Sequence, residues 1–139
     1  MLKNTYDFDC NLAQTLNILG DRWTMLVLHR ISKGKNTFKE LEEALEPIPT
    51  NILSDRIKIL EENEIIYLEL YNEHPPRYKY MMTEKGKDFN YVFNAMILWA
   101  SRYLDNCNKT VCHKDCGTEV EIRYYCKNCD KYVDELEVK

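Results

Sequence analysis

Three features of the 139-residue sequence predict an α+β fold. Apolar residues recur at helical spacing in five stretches before residue 105, and two short runs near residues 66–82 alternate apolar and polar positions as strands do. The last 28 residues hold four of the six cysteines in a paired pattern. Together these predict a helical domain with one hairpin, residues 8–104, and a small metal-dependent extension, residues 111–136, joined by a short polar linker.

The length suits one ordinary domain with an appendage and excludes a large two-domain enzyme. With 45% hydrophobic, 30% charged and 12% aromatic residues, the chain is globular and neither a disordered tail nor a repeat array. No run approaches the roughly 18 apolar residues of a bilayer span. Asn4, Asp7 and Asp9 occupy the region where a signal peptide needs an apolar stretch, so a cytoplasmic, non-membrane protein is expected. In a reducing compartment, clustered cysteines read as metal ligands, not disulfides.

Leu12, Ala13, Leu16 and Leu19 form the first helical pattern, which Gly20 stops and Asp21 restarts as an N-cap. The next helix, Arg22 to about Ser32, is apolar nearly all round, with Trp23, Leu26, Val27, Leu28 and Ile31, and should be central and buried. Gly34 closes it. Thr37 and Glu40 fit a capping box ahead of Phe38, Leu41 and Leu45. Pro47 and Pro49 must end that helix, and Thr50 offers the N-cap of another running to about Asn63. Two short helices across a proline-set turn suggest helix-turn-helix.

Ile66, Leu68 and Leu70 alternate with polar or aromatic partners, as do Tyr78, Tyr80 and Met82, so these are two strands. The segment Asn72 to Pro76 should be a stiff tip that does not join the ladder. Helix, turn, helix, hairpin is the winged-helix order, with the wing at about 72–77. From Thr83 one helix is expected to reach about Leu104, with Phe89, Val92, Phe93, Met96, Ile97, Trp99, Ala100 and Tyr103. So wide an apolar surface points to a homodimer interface, joined by Leu12 to Leu19, against the alternative of burial within one chain.

A recognition helix at about 50–63 would bury one face and offer the other to the major groove of DNA. At 100° per residue, Leu53, Ile57 and Leu60 fall inward with Ile52 and Ile59 on one flank, while Asn51, Ser54, Asp55 and Lys58 point outward beside Thr50. Asn pairs bidentately with adenine, Lys reaches guanine or phosphate, Ser serves either partner and Asp accepts from cytosine N4. Arg56 sits at the edge of the buried stripe, suited to a phosphate or an internal carboxylate. Lys35 and Lys39 before and within the first of the two short helices, with His74, Arg77 and Lys79 on the wing, supply backbone or minor-groove contacts.

At this point the sequence resembles the HxlR-type winged helix-turn-helix transcriptional regulators. The likeness rests on Cys10-Asn-Leu-Ala, Gly20 to Thr24 with Leu26 and Leu28, Thr37 to Leu41, Ile48 to Lys58, Tyr71 to Pro76, Tyr80, Thr83 and Gly86, and covers about residues 8–104. It implies a homodimer pairing through N- and C-terminal helices on palindromic double-stranded operator DNA. Two departures are Asp21 for a usual Gly and Glu64 for a common Gly after the recognition helix.

In the tail, His113-x2-Cys116-Gly117 and Cys126-x2-Cys129 have the ligand number, types and spacing of a closed structural Zn²⁺ site, with Val120, Ile122 and Tyr124 as an intervening strand. Four protein ligands leave no water for catalysis. Cys112 competes with His113 for the fourth place; the repeated x2 spacing, and a similar tail in some members of the resembled family, favour His113. The resemblance also implies a small-molecule or redox effector, since a cysteine placed like Cys10 is a sensor in some members. Asp7 and Asp9 beside it disfavour the thiolate, so an inert thiol stands as the alternative.

The leading function is therefore sequence-specific DNA binding by a non-enzymatic regulator; the alternative is a protein-interaction module of a transcription assembly. A cysteine enzyme is disfavoured because there is no Gly-rich phosphate loop and no candidate triad. The net charge of −4, and 7 basic against 10 acidic residues over 33–83, predict weak non-specific DNA binding and reliance on sequence contacts.

Overall fold

The computed structural model describes residues 5–139. They fall into two compact units, one ending at Tyr91 and the other running Val92–Lys139. The boundary lies inside the last helix and not in the polar linker at 105–111, because most of that helix gathers with the cysteine-rich tail.

The first unit contains α1 (Asn11–Leu19), α2 (Thr24–Ser32), α3 (Phe38–Ala44), α4 (Thr50–Glu62), β1 (Ile66–Glu73), β2 (Pro76–Met82) and α5 (Glu84–Lys87). Helix α2 is the hub and packs against α1, α3, α4 and β2. Thr24, Val27, Leu28 and Ile31 make one buried stripe at i, i+3, i+4 and i+7 spacing. Leu26 lies off that stripe and is 44% exposed, so α2 is buried on one face and not all round. Val27, Leu28, Leu41, Leu53, Leu60, Ile65 and Ile66 form the driest part of the core.

The capping box before α3 is present: the Glu40 N–H donates to Thr37 Oγ1, and Glu40 Oε2 accepts from the Thr37 and Asn36 N–H groups. At α4 the expected cap is displaced by one residue. Pro49 is the N-cap, and the Thr50 hydroxyl donates instead to Glu42 Oε2 at 2.9 Å, tying α4 to α3.

Both α2 and α4 end in paired backbone bonds across a left-handed residue. Gly34 (φ 89°) donates to Ile31 and Lys35 to Arg30; Glu64 (φ 56°) donates to Glu61 and Ile65 to Leu60. Glu64 thus occupies a position that favours glycine.

The hairpin is longer than expected. Strands β1 and β2 pair antiparallel from Ile66↔Met82 to Glu73↔Pro76, with a register shift between Leu70 and Asn72, leaving only His74 and Pro75 as the tip. Pro76 is tolerated because it begins a strand at the end of a ladder. The expected helix from Thr83 to Leu104 is also interrupted, giving α5 and then α6 (Phe89–Tyr103) with Asp88 between. Thr83 anchors the break: its hydroxyl donates to the Glu64 carbonyl and accepts from the Gly86 N–H. A Cβ on Gly86 would stand 2.2 Å from the Ile65 carbonyl oxygen, so this crossing requires glycine.

Helix α6 buries Phe93 and leaves Tyr91, Val92, Met96, Trp99 and Tyr103 exposed, as is Leu104 just after it. The tail carries the hairpin β3 (Tyr124–Cys126) and β4 (Lys131–Val133), and an isolated bridge between Cys112 and Glu119. Val120 and Ile122 lie outside β3, so the expected strand is confined to its last part.

Glu64→Gly should raise stability by about 0.5–1 kcal/mol, because relief of the left-handed strain exceeds the added freedom of the unfolded chain. Thermal melting checks this, and a lower melting temperature would contradict it.

Candidate nucleic-acid interface

Packing decides which way α4 faces. Leu53, Ile57 and Leu60 are buried, and α4 rests on α2 and β1. Asn51, Ser54 and Lys58 are exposed on the opposite side at i, i+3 and i+7, which is one stripe along the helix. Lys58 is 71% exposed with Nζ 3.8 Å from Glu62, an i,i+4 pair weak enough to yield to a phosphate. Thr50 is also exposed, although its hydroxyl is engaged by Glu42.

Asp55 and Arg56 behave differently from the other residues expected to face DNA. The Asp55 side chain is 44% exposed, whereas that of Arg56 is only 14% exposed. Arg56 Nε lies 3.2 Å from Asp21 Oδ1, an ion pair without the alignment of a hydrogen bond, and Nη1 donates to Asp55 Oδ2 at 3.1 Å. Of the two partners that its position suits, a phosphate or an internal carboxylate, Arg56 takes the carboxylate.

Asp21 is the anchor of this group. Its Oδ1 accepts from the N–H groups of Trp23 and Thr24, at 2.8 and 3.0 Å, which satisfies two donors of the turn leading into α2; the helix itself starts at Thr24 with Trp23 at its N-cap, two residues later than the expected start at Arg22. Its Oδ2 accepts from the hydroxyl of Thr24, which is fully buried. Burial pushes the Asp21 carboxyl up, but the Thr24 hydroxyl, the Trp23 and Thr24 N–H groups and the Arg56 guanidinium outweigh it and hold its pKa below the ordinary value. A role for Asp21 at the approach to α2 was legible in the sequence; the partnership with a residue 35 positions later was not.

The turn and wing are joined to the helices through the backbone. Tyr80 N–H donates to the Asn36 carbonyl at 2.8 Å, fixing β2 against the turn that precedes α3. Glu40 is held below its ordinary pKa by the Asn36 and Thr37 N–H groups, so it remains an ionised cap. Lys35 and Lys39 are exposed at this turn, and His74 and Arg77 are exposed on the wing. Lys79 is half-buried, paired across the ladder with Glu69, and lies over the Tyr71 ring at 5.4 Å.

In the tail, His113 Nδ1 lies 3.3 Å from Cys116 Sγ, and the Gly117 N–H donates to the His113 carbonyl. Hydrogen bonds from Thr118, side chain and backbone, and from His113 lower the Cys116 pKa to about 7. Cys126 is lowered by the Cys129 backbone and side chain and by the Asn128 N–H. The residue after the second member of each pair is left-handed, Gly117 after Cys116 at φ 72° and Asp130 after Cys129 at φ 52°. Each pair is formed separately; among the described residues no three His, Cys, Asp or Glu side chains converge on one metal position. Cys10, Cys107 and Cys112 are exposed, and no helix of the described residues is long and apolar enough to cross a membrane.

A helix-turn-helix followed by a two-stranded wing, with a polar stripe on the outer face of the second helix, is the architecture of the winged-helix DNA-binding transcriptional regulators. The chain belongs to the HxlR-like helix-turn-helix family, whose profile matches residues 18–108. It is 34% identical over 104 residues to the HTH-type transcriptional regulator YodB of Bacillus subtilis, covering 75% of this chain and 92% of YodB. The reduced form of the redox regulator HypR superposes with a TM-score of 0.64 at 25% identity, over 69% of this chain and 95% of HypR. The fold of the protein PA1607 matches over 96% of both chains with a TM-score of 0.78 at 22% identity.

Asp21→Asn should lower stability by about 1–3 kcal/mol at neutral pH. Because the folded pKa of Asp21 is depressed, its contribution is fully present above the ordinary carboxylate value of about 4 and is lost as pH falls through the folded value. The gap between wild type and variant in denaturant melts should therefore narrow on acidification below about pH 4; a pH-independent gap would contradict this.

Proposed function

We propose that the protein is a homodimeric, sequence-specific regulator that places α4 in the major groove and sets its wing on the DNA backbone or minor groove. The observation that carries this is the exposed stripe Asn51, Ser54 and Lys58 on a helix whose other face is locked by Leu53, Ile57 and Leu60. Asn51 and Ser54 read base edges, and Lys58 takes guanine or phosphate. Lys35, Lys39, Arg77 and Lys79 take backbone positions, with His74 at the wing tip.

A second copy of the chain supplies the symmetry. Leu12 and Leu16 of α1 and the row Tyr91, Val92, Met96, Trp99 and Tyr103 on α6 are exposed apolar surface of the kind that a dimer covers. Two copies of α4 then call for a palindromic operator. Cys10, exposed just before α1, is the residue that an oxidising effector would reach, in keeping with the redox role in HypR's description.

The same reading gives the tail a structural Zn²⁺ held by His113, Cys116, Cys126 and Cys129. Donor types fit the ion pair by pair, with a left-handed residue after each, and binding requires the two pairs to close on one point. His113 is favoured over Cys112, because its ring meets Cys116 at 3.3 Å and its x2 spacing to Cys116 repeats that of Cys126 and Cys129. When bound, the ion supplies stability to a segment with almost no core.

Asn51→Ala and Lys58→Ala should each weaken binding to a selected operator by about 1–3 kcal/mol with melting temperature unchanged. Lys58→Ala should lower the salt slope by about 1 if it holds a phosphate. Binding unaffected by both would overturn the facing of α4. Elemental analysis of gently purified protein should find about one zinc per chain, kept in Cys112→Ala and lost in His113→Ala. Less than about half an equivalent in the wild type would overturn the zinc site.

A further inference from the structure

Arg56 is nearly buried, yet it ends on a residue of the recognition face. Its Nε meets Asp21 at the start of α2, and its Nη1 meets Asp55 Oδ2, so one planar guanidinium bridges an internal carboxylate and an outward one. Asp21 is itself held by two backbone N–H groups and the buried Thr24 hydroxyl, which leaves it little freedom to follow Arg56 elsewhere. The series runs from the turn ahead of the hub helix α2 to a side chain beside the exposed stripe of α4.

A carboxylate on a DNA-facing helix is repelled by phosphates and, unheld, would turn away from the groove. Arg56 changes this by supplying a compensating charge beside Asp55 and by engaging one of its two oxygens in a fixed direction. The remaining Oδ1 is the atom left to accept from an exocyclic amine; the major groove offers adenine N6 and cytosine N4, and because adenine sets the acceptor N7 beside its amine, where a carboxylate is repelled, cytosine N4 is the better partner. Lys could not serve at position 56, because a single ammonium on a flexible stem cannot fix one N–H donor on Asp55 while a second nitrogen of the same rigid plane faces Asp21.

We propose that Asp21 and Arg56 are positioning residues for base recognition: through the Asp21–Arg56–Asp55 series they hold Asp55 so that it selects a C·G pair in the operator, and Arg56 itself contacts no phosphate. This rests on the placement of α4 in the major groove given above, and it adds a specificity element that the sequence stripe alone does not distinguish from surface charge.

The test starts from duplexes selected out of a random library by the wild-type protein. Asp55→Ala, which removes only a half-exposed side chain, identifies the base pair whose preference depends on it. The wild type should favour C·G there by about fivefold or more, and Asp55→Ala should abolish that preference. Asp21→Asn and Arg56→Gln should erode the preference at the same base pair while leaving the preference read by Asn51 in place, and Arg56→Lys should fail to restore it. The slope of log affinity against log salt should be unchanged in Arg56→Gln.

A slope lower by about 1 in Arg56→Gln would show a phosphate contact and overturn the proposal. Equal loss of preference at every base pair would show a merely structural role and overturn it as well. If Arg56→Gln does not fold, Asp21→Asn in the Asp55→Ala background decides: no further change at that base pair supports the series, and a further change contradicts it. Should the wild type select no sequence at all, the groove placement itself fails; should it select while Asp21→Asn keeps its C·G preference, only the positioning claim fails.

Discussion

The packing of α4 onto α2 is the constraint on which the rest depends. Burying Leu53, Ile57 and Leu60 is worth about 1.5–3 kcal/mol per side chain, whereas an exposed pair such as Lys58–Glu62 is worth at most about 1. The apolar face therefore sets the helix rotation, and the polar stripe inherits its direction. The Asp21–Arg56 ion pair acts at the edge of this contact, where it secures the turn into α2 and restricts α4 together. The paired end bonds at Gly34 and Glu64 then set how the chain leaves each helix, and the Tyr80–Asn36 bond brings the wing back beside the turn.

Charge explains how an acidic chain serves as a DNA binder. The cations of the wing and recognition helix have acidic neighbours: Lys58 has Glu62, and Lys79 has Glu69 across the ladder. Such pairs cost little to open but reduce the far field, so the proposed reading expects modest attraction to arbitrary duplex and assigns discrimination to base-edge contacts. The ionised Glu40 serves the turn as a backbone cap, which is a structural use of acidity inside the winged helix.

Most of the helix order was readable because it rests on local chemistry. The Thr37–Glu40 box, the stop at Gly34 and the inward face of α4 each follow from spacing within a few residues. The departures arise where distant partners intervene. Thr50 gives up its capping role to reach Glu42, and Thr83 and Gly86 pack against the Glu64–Ile65 carbonyls, ahead of the break at Asp88. Leu26 looked buried because its neighbours were apolar, yet a single stripe satisfies α2. In the tail, the spacing predicts two ligand pairs on one ion; His113 does lie beside Cys116, and left-handed residues follow Cys116 and Cys129, but bringing the two pairs together is a long-range matter that spacing does not determine, and among the described residues no three such side chains converge.

Site-directed photo-cross-linking tests the orientation of α4 most directly. A photoreactive amino acid incorporated at position 54, with the cysteines left in place, should cross-link to bases of a selected duplex and protect them from a major-groove reagent. The same probe at the exposed wing-side position 69 should reach sugar or phosphate instead. Base cross-links from position 54 at one site in each half of a palindrome are the predicted result. Cross-links absent from position 54, or scattered along the duplex with no repeat, would contradict the account.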